Sequence, residues 1–376
     1  MRIPRPSEGT AIEKGRIGIY QFFFLCITFV ISTADILLPN FIADIAREDA
    51  WISVILATIL AVITVLLACK IRTRMGRRNL IDTNDVLLGS ILGRIFSLLF
   101  IIAVFNLAVL TICELNEIML NAFLMKTPTL AISIMMVLVA AYGVYHGLEV
   151  FCRVNEILLP LGLVTLGSVI VLNVGELNFT YFLPVFYNGI MPSVRGALLL
   201  YGWIAQVSVI VYMISPFVKA TAKQIRNYAV AATVVLGMMM MTGVLTIAVF
   251  GANRTAHLQF PALNLVRYID LFDFIQRLDT FIFAIWVGGV AIRLIVIYYL
   301  VTLGIRQFFC MEKASNILII VIGIAMLIGS TLINQHVIEL IQIFKILYPV
   351  QATLFGLVAP VFILGIAYIR KIKPKT

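Results

Sequence analysis

The chain has 376 residues, 62% of them hydrophobic and 12% charged, with a formal net charge of +10 and a mean hydropathy of +1.08. So apolar a composition excludes a water-soluble enzyme and leaves a bundle of bilayer-crossing helices, each needing about 20 apolar residues. The positive charge does not point to nucleic acid, because the basic residues sit at the ends of apolar stretches and not along one face.

Hydropathy and loop punctuation place about ten spans, near 17–38, 51–69, 88–122, 128–146, 157–173, 194–217, 228–251, 274–303, 315–334 and 346–369. Only short connections remain, so residues 1–376 are expected to form a single polytopic membrane domain with short cytoplasmic tails, about 1–15 and 370–376. The first stretch has no small-residue cleavage site and is too long for a signal peptide, so it reads as a retained span. With the amino terminus inside, about 20 of the 28 Lys and Arg fall on the cytoplasmic side, in clusters such as Lys70–Arg78 and Lys219–Arg226.

Two spans are interrupted by polar or helix-breaking residues. The first carries Ser32, Thr33 and Asp35 at mid-membrane, with Pro39 beyond. An Asp at that depth costs roughly 2.5–3.5 kcal/mol and is expected to face protein or water. The sixth carries Gly202 and Gln206 inside and ends at Pro216. Broken helices five spans apart mark a five-plus-five inverted repeat, although ordinary kinks with satisfied polar groups would read the same way.

Span three aligns Asn106, Glu114, Glu117 and Asn121 within about 80° of helix circumference, a polar stripe from mid-membrane to the outer surface. Interhelical hydrogen bonding is the simpler role for Glu117 and Asn121; Asn106 lies deeper. Between spans seven and eight, Leu263, Val266, Ile269 and Phe272 recur at helical spacing, as in a short amphipathic helix lying over the outer face like a lid. Arg293 falls inside span eight. It is expected to snorkel to the cytoplasmic side or to pair with Glu149 or Glu156.

No phosphate-binding loop or zinc motif is present, the five cysteines are scattered, and His146, His257 and His336 lie far apart. No metal or cofactor is expected. The centre of span eight has no Ser or Thr to hold a coupling ion, and span five has no Lys to carry a proton. A binding site without an evident engine points to a sensor.

Three segments carry a family resemblance: STADILLPNFIADIAREDAWIS, NFTYFLPVFYNGIMPSVRGALL and FPALNLVRYIDLFDFIQRLDTFIFAIW. Within them, Asp49–Ser53 (Asp-Ala-Trp-Ile-Ser) and the Phe-Pro, Arg-Leu-Asp and Trp of Phe260–Trp286 are specific when taken together. Over essentially its whole length the chain resembles the permease-like B subunit of bacterial spore germinant receptors, a branch of the amino acid–polyamine–organocation superfamily. The resemblance implies an all-α, leucine-transporter-like fold in a spore's inner membrane with both termini cytoplasmic. It also implies assembly with an A-type subunit and a lipoprotein C-type subunit, and recognition of a small-molecule germinant. Where relatives carry a Gly-Phe-Glu-like break, this chain has Tyr-Gly-Trp-Ile-Ala-Gln.

The ligand is expected among Thr33, Ala34, Asp35, Asn106, Tyr201, Gly202 and Trp203. Free amides of the two broken helices suit a carboxylate, Trp203 offers a wall or a face for an ammonium, and Asp35 would pair with that ammonium or cap the outer half-helix. Alternatives to the sensor are an amino-acid or polyamine transporter, and a scaffold for the other subunits. Membrane lipids are the remaining expected partner.

Overall fold

A computed structural model describes residues 15–75, 78–267, 278–311, 316–333 and 337–369. The expected tails, apart from Gly15, and the Ile269 and Phe272 positions of the expected outer helix lie outside the described residues. So does the side chain of Asp35.

In chain order the helices are α1 (Ile19–Ala46), α2 (Ala50–Met75), α3 (Leu80–Leu88), α4 (Ser90–Ile118), α5 (Thr129–His146), α6 (Leu148–Leu172), α7 (Met191–Ile204) and α8 (Val207–Ile214). They continue as α9 (Ala222–Phe250), α10 (Ala252–His257), α11 (Pro261–Arg267), α12 (Leu278–Phe308), α13 (Asn316–Ile333), α14 (Val337–Ala352) and α15 (Ala359–Ile369). Nine stretches among the described residues are long and apolar enough to cross a bilayer, with Ile19–Ala34 a further, shorter apolar segment. Each expected span falls on one of these helices or on a consecutive pair, so the chain is an all-α, multi-pass membrane protein. The short α3, hairpinned against α4, was not read from the sequence.

Local chemistry sets the boundaries. Thr221 and Gln224 form a reciprocal capping box at the start of α9, with Gln224 N–H donating to Thr221 Oγ1 (3.2 Å) and Thr221 N–H to Gln224 Oε1 (2.9 Å). Gly147, at φ +83°, alone separates α5 from α6, a backbone conformation that side chains with a Cβ resist. At one end of the bundle Ile17 pairs with the strand-like exit of span six, its N–H donating to Phe217 O (3.1 Å) and its carbonyl accepting from Lys219 N–H (2.9 Å). That clip ties the entry of α1 to the end of α8.

The two expected breaks part company here. Span six is interrupted at Ala205–Gln206, between α7 and α8. The first span is not: α1 runs unbroken through Ser32–Asp35. Short hydroxyl side chains are tolerated inside a helix, and Pro39 removes only the N–H that would have met the Asp35 carbonyl. Span ten, by contrast, is irregular: Pro349 lies within α14, and a π-helical segment Thr353–Val358 joins it to α15.

Packing centres on α1, which touches α9, α7, α12 and α6. Helix α2 packs on α7 and α9, α4 on α12 and α13, α5 on α12 and α13, and α14 on α7. The motif residues Asp49 and Ser53 hold down the connection between α6 and α7. Both Asp49 carboxylate oxygens accept from Phe186 N–H (3.1 Å each), and Ser53 Oγ donates to Ser193 O (2.9 Å).

Candidate functional site

The most polar point of the interior is Arg293. The register of α12 turns it into the bundle, where it is wholly buried. Its Nε donates to Thr111 Oγ1 on α4 (3.2 Å), Nη1 to the Phe29 carbonyl on α1, and Nη2 to Gln206 Oε1 at the break of span six (2.8 Å). The guanidinium also lies 5.1 Å from the centroid of the Phe29 ring. Three helices are thus fastened through one cation whose planar fork meets several acceptors at once.

This corrects the expectation that Arg293 snorkels or pairs with Glu149 or Glu156. Those carboxylates serve the end of the bundle where α1 begins: Glu149 accepts from Arg16 N–H (2.7 Å) and lies 3.9 Å from Arg153, and Glu156 accepts from Gln21 Nε2 (3.1 Å).

Glu114, one helical turn along α4 from Thr111, is also wholly buried, and neither of its carboxylate oxygens has a hydrogen-bond partner. It is near enough to Arg293 for the two charges to interact, and Tyr348 on α14 interacts with both. Thr33 Oγ1, one turn of α1 from Phe29, and Trp203 Nε1, beside Tyr348, are buried without a hydrogen-bond partner, and the Tyr348 hydroxyl approaches only Arg293. Buried polar groups normally find partners, so a cluster of open donors beside an open carboxylate is a site prepared for something else.

The expected site residues divide between two places. Tyr201, Gly202 and Trp203 meet α14: the Tyr201 hydroxyl bonds Thr64 Oγ1 (2.9 Å) and the Ala352 carbonyl (3.2 Å), and the Trp203 ring stands edge-on to Tyr348 with centroids 4.4 Å apart. Gly202 lies against the α14 backbone, where a Cβ would come within 2.7 Å of Pro349 N. Asn106 joins this group weakly, accepting from Gln351 Nε2 at 3.5 Å. Thr33 and Ala34 are buried on α1, with Ala34 turned toward Val54 and Leu200. Asp35 carries no described side chain. Glu114, Gln206, Arg293 and Tyr348, outside the expected ligand residues, are what the bundle brings together around the buried cation. An Arg inside an apolar span was itself the signal, since such a charge is expensive and is retained for a partner.

Between α4, the break and α14 lies a cavity of only about 30 Å³, lined by Phe100, Leu107, Gly202, Gln206, Tyr348 and Gln351. It has room for little more than a water. The other members of the polar stripe act structurally: Glu117 Oε1 accepts from Asn121 Nδ2 (2.8 Å) and Gln259 Nε2 (3.2 Å). A larger cavity, about 160 Å³ and mostly apolar, lies between α1, α6, α9, α11 and α12. Leu263 and Val266 of the expected outer helix line it.

Comparison with known proteins places the chain in a family. Spore germination protein KB of Bacillus subtilis (strain 168) is 26% identical over 367 residues, covering 96% of each chain. Spore germination protein YndE of the same organism is 23% identical over 302 residues, 80% of this chain and 83% of its own. GerQB of Bacillus cereus is 22% identical over 341 residues, 87% and 89% of the two chains. The profile of the family described as spore germination protein matches residues 16–338, and the chain belongs to that family.

Proposed function

We propose that this chain is the germinant-sensing membrane subunit of a spore germinant receptor, binding a small zwitterion, an amino acid, at the Glu114–Arg293 centre. The observation that carries the reading is Glu114: a buried carboxylate with both oxygens open, beside a guanidinium and unpartnered donors on three other helices. The ammonium of an amino acid would meet Glu114. Its carboxylate would take donors from Thr33, Trp203 and Tyr348 under the field of Arg293. Occupation would bias α14 and the broken span six between closed and open packings; a 10⁴-fold preference, about 5.5 kcal/mol, moves a 1:99 equilibrium to 99:1.

The pairing of helices supports a five-plus-five inverted repeat. Exchanging spans one to five with six to ten carries the contact of α1 with α9 onto that of α7 with α2. It likewise carries α6 on α1 onto α14 on α7, and α5 on α12 onto α13 on α4. The family supports a location in the spore's inner membrane, with both termini cytoplasmic by the charge of the loops, and assembly with A-type and lipoprotein C-type subunits.

Binding of an amino-acid panel to the purified chain in nanodiscs tests the reading. Glu114→Gln, which keeps shape and removes charge, is expected to weaken binding at least tenfold, about 1.4 kcal/mol, with the thermal midpoint little changed. Unaltered affinity in that variant would move the site elsewhere. A second reading, a proton-coupled transporter, draws on the same Glu114, which offers a proton carrier in place of the Lys that span five lacks. Accumulation of amino acid driven by a pH gradient in proteoliposomes containing only this chain would establish it. For the sensor, binding is expected to be indifferent to sodium and to proton gradients, with no concentrative uptake.

A further inference from the structure

The 160 Å³ cavity lies apart from the Glu114–Arg293 centre and differs from it in chemistry. Its walls are Ile31 and Ile36 of α1, Leu158 and Leu166 of α6, Met239 of α9 and Phe283 of α12, with α11 across one end. Four of the hydroxyls on those walls are already committed; Ser32 Oγ, on the α1 wall, is buried and open. Thr28 donates to Asn155 Oδ1 (2.7 Å), and Thr165, Thr242 and Thr246 donate to carbonyls of their own helices at 2.6–2.8 Å. An apolar cavity of about this size stays dry and takes an apolar guest the size of benzene. An amino acid's charged groups would find no opposite charge among the lining residues.

The bilayer reaches this cavity from the side. Helix α6 packs on α1, α5 and α12 but not closely on α9, so the wall between α6 and α9 is thin. Leu163 lines the cavity and is also 37% exposed, while Val164 of α6 (66%) and Met238 of α9 (68%), each next in the chain to a lining residue, face outward. The lipid-facing surface is therefore continuous with the cavity. Besides Ser32 Oγ, a second donor on its wall stays open: the buried Nε1 of Trp286, suited to an ester carbonyl. At its inner side Ser32 and Gly289 stand in contact, and Gly289 is one turn of α12 from Arg293.

We infer that this cavity is a lateral lipid site, taking part of a phospholipid acyl chain inserted between α6 and α9, with Trp286 Nε1 donating to the chain's ester carbonyl. A chain seated there lies against α1 and the outer half of α12, the two helices that carry Phe29, Thr33 and Arg293. Bilayer composition would then bear on the ligand centre through the packing of α1.

The test uses the fluorescence of Trp286, made the sole tryptophan by Trp51→Phe and Trp203→Phe, in vesicles of phosphatidylcholine with acyl chains brominated or unbrominated. Bromine quenches tryptophan on contact, so Trp286 is expected to be quenched in brominated vesicles. Two variants fill the cavity from opposite walls: Gly162→Leu, where a Cβ meets only Ile285 at 3.7 Å, and Thr242→Leu. Each is expected to abolish most of the quenching, and either suffices if the other fails to fold. Absence of quenching in the unfilled chain, or equal quenching in filled chains, overturns the proposal. So does a Trp286 emission shift produced by adding a water-soluble apolar amino acid in unbrominated vesicles, which would assign the cavity to a solute.

Discussion

Arg293 Nη2 donates to Gln206 Oε1 at 2.8 Å, and Gln206 is one of the two residues that separate the halves of the sixth span. Gln206 returns its own Nε2 to the Gly202 carbonyl at 3.1 Å, so one side chain bridges the interruption and anchors it to span eight. The break is a held structure: turn hydrogen bonds, Ala205 N–H to Tyr201 O (3.0 Å) and Gln206 N–H to Trp203 O (3.1 Å), carry its backbone, and a cation from another helix fixes the Gln206 side chain. Any motion of α7 against α8 has to renegotiate that bond.

Removing the cation is therefore expected to be costly. Arg293→Leu leaves Gln206, Thr111 and the Phe29 carbonyl without their donor and Glu114 without its counter-charge, a loss of about 3–5 kcal/mol for breaking a buried polar arrangement. Arg293→Lys keeps the charge but not the fork that reaches three helices, and is expected to fall between. Thermal unfolding of the detergent-solubilised chain reads both; a lysine variant as stable as the parent would mean the charge alone matters.

Gly202→Ala probes a close approach of two backbones. Its Cβ would sit 2.7 Å from Pro349 N and 2.8 Å from Tyr348 C, atoms that move only with α14 itself. A destabilisation of about 1–3 kcal/mol is expected, from overpacking. A larger side chain here, such as leucine, is expected to lower the amount of folded chain and not only the response to a ligand. Normal stability in the alanine variant would show that α14 already yields easily.

Asp49→Ala leaves the Phe186 N–H without its carboxylate and frees the connection between α6 and α7. The expected loss is about 1–3 kcal/mol, expressed locally. Limited proteolysis should cut between Asn178 and Met191 several-fold faster than in the parent, and Asp49→Asn, which retains an acceptor, should restore most of the protection. An unchanged cleavage rate would show that Ser53 and the neighbouring packing hold the segment without Asp49.

Asp44 and Lys345 join α1 to α14 at 2.9 Å, but the two side chains remain 56% and 28% exposed. Solvent screening makes such a pair worth less than about 1 kcal/mol. Asp44→Ala should leave the thermal midpoint nearly unchanged at moderate salt, in contrast to Arg293→Leu. A drop as large as that of the arginine variant would reveal a desolvated pair in solution.

Much of the architecture was legible because a bilayer leaves few choices. Apolar runs of sufficient length have to be helices, so the spans could be read from hydropathy alone. Gly202 and Gln206 marked the break in span six, and the Asp49–Ser53 motif marked a contact that the outer connection does make. Ser32, Thr33 and Asp35 misled for a physical reason: polar residues interrupt a helix only when neighbours offer the freed backbone better partners. The local sequence of α1 says nothing of those neighbours. For the same reason the sequence does not tell that the Tyr201 hydroxyl turns to Thr64 and Ala352, or that Glu114 and Tyr348 come together beside Arg293.

Composition and hydropathy by themselves determined that this chain is a multi-pass helical membrane protein, and its motifs determined its family. Which faces meet was decided by the tertiary structure. Helical periodicity fixes the side of α12 on which Arg293 lies, but not that Phe29, Thr111 and Gln206 wait on that side, because those partners come from helices 87 to 264 positions away in the chain. Burial of a charge is a property of the assembled bundle. Only there does the cost of desolvating Arg293 meet the acceptors that offset it, and only there is Glu114 left open beside it.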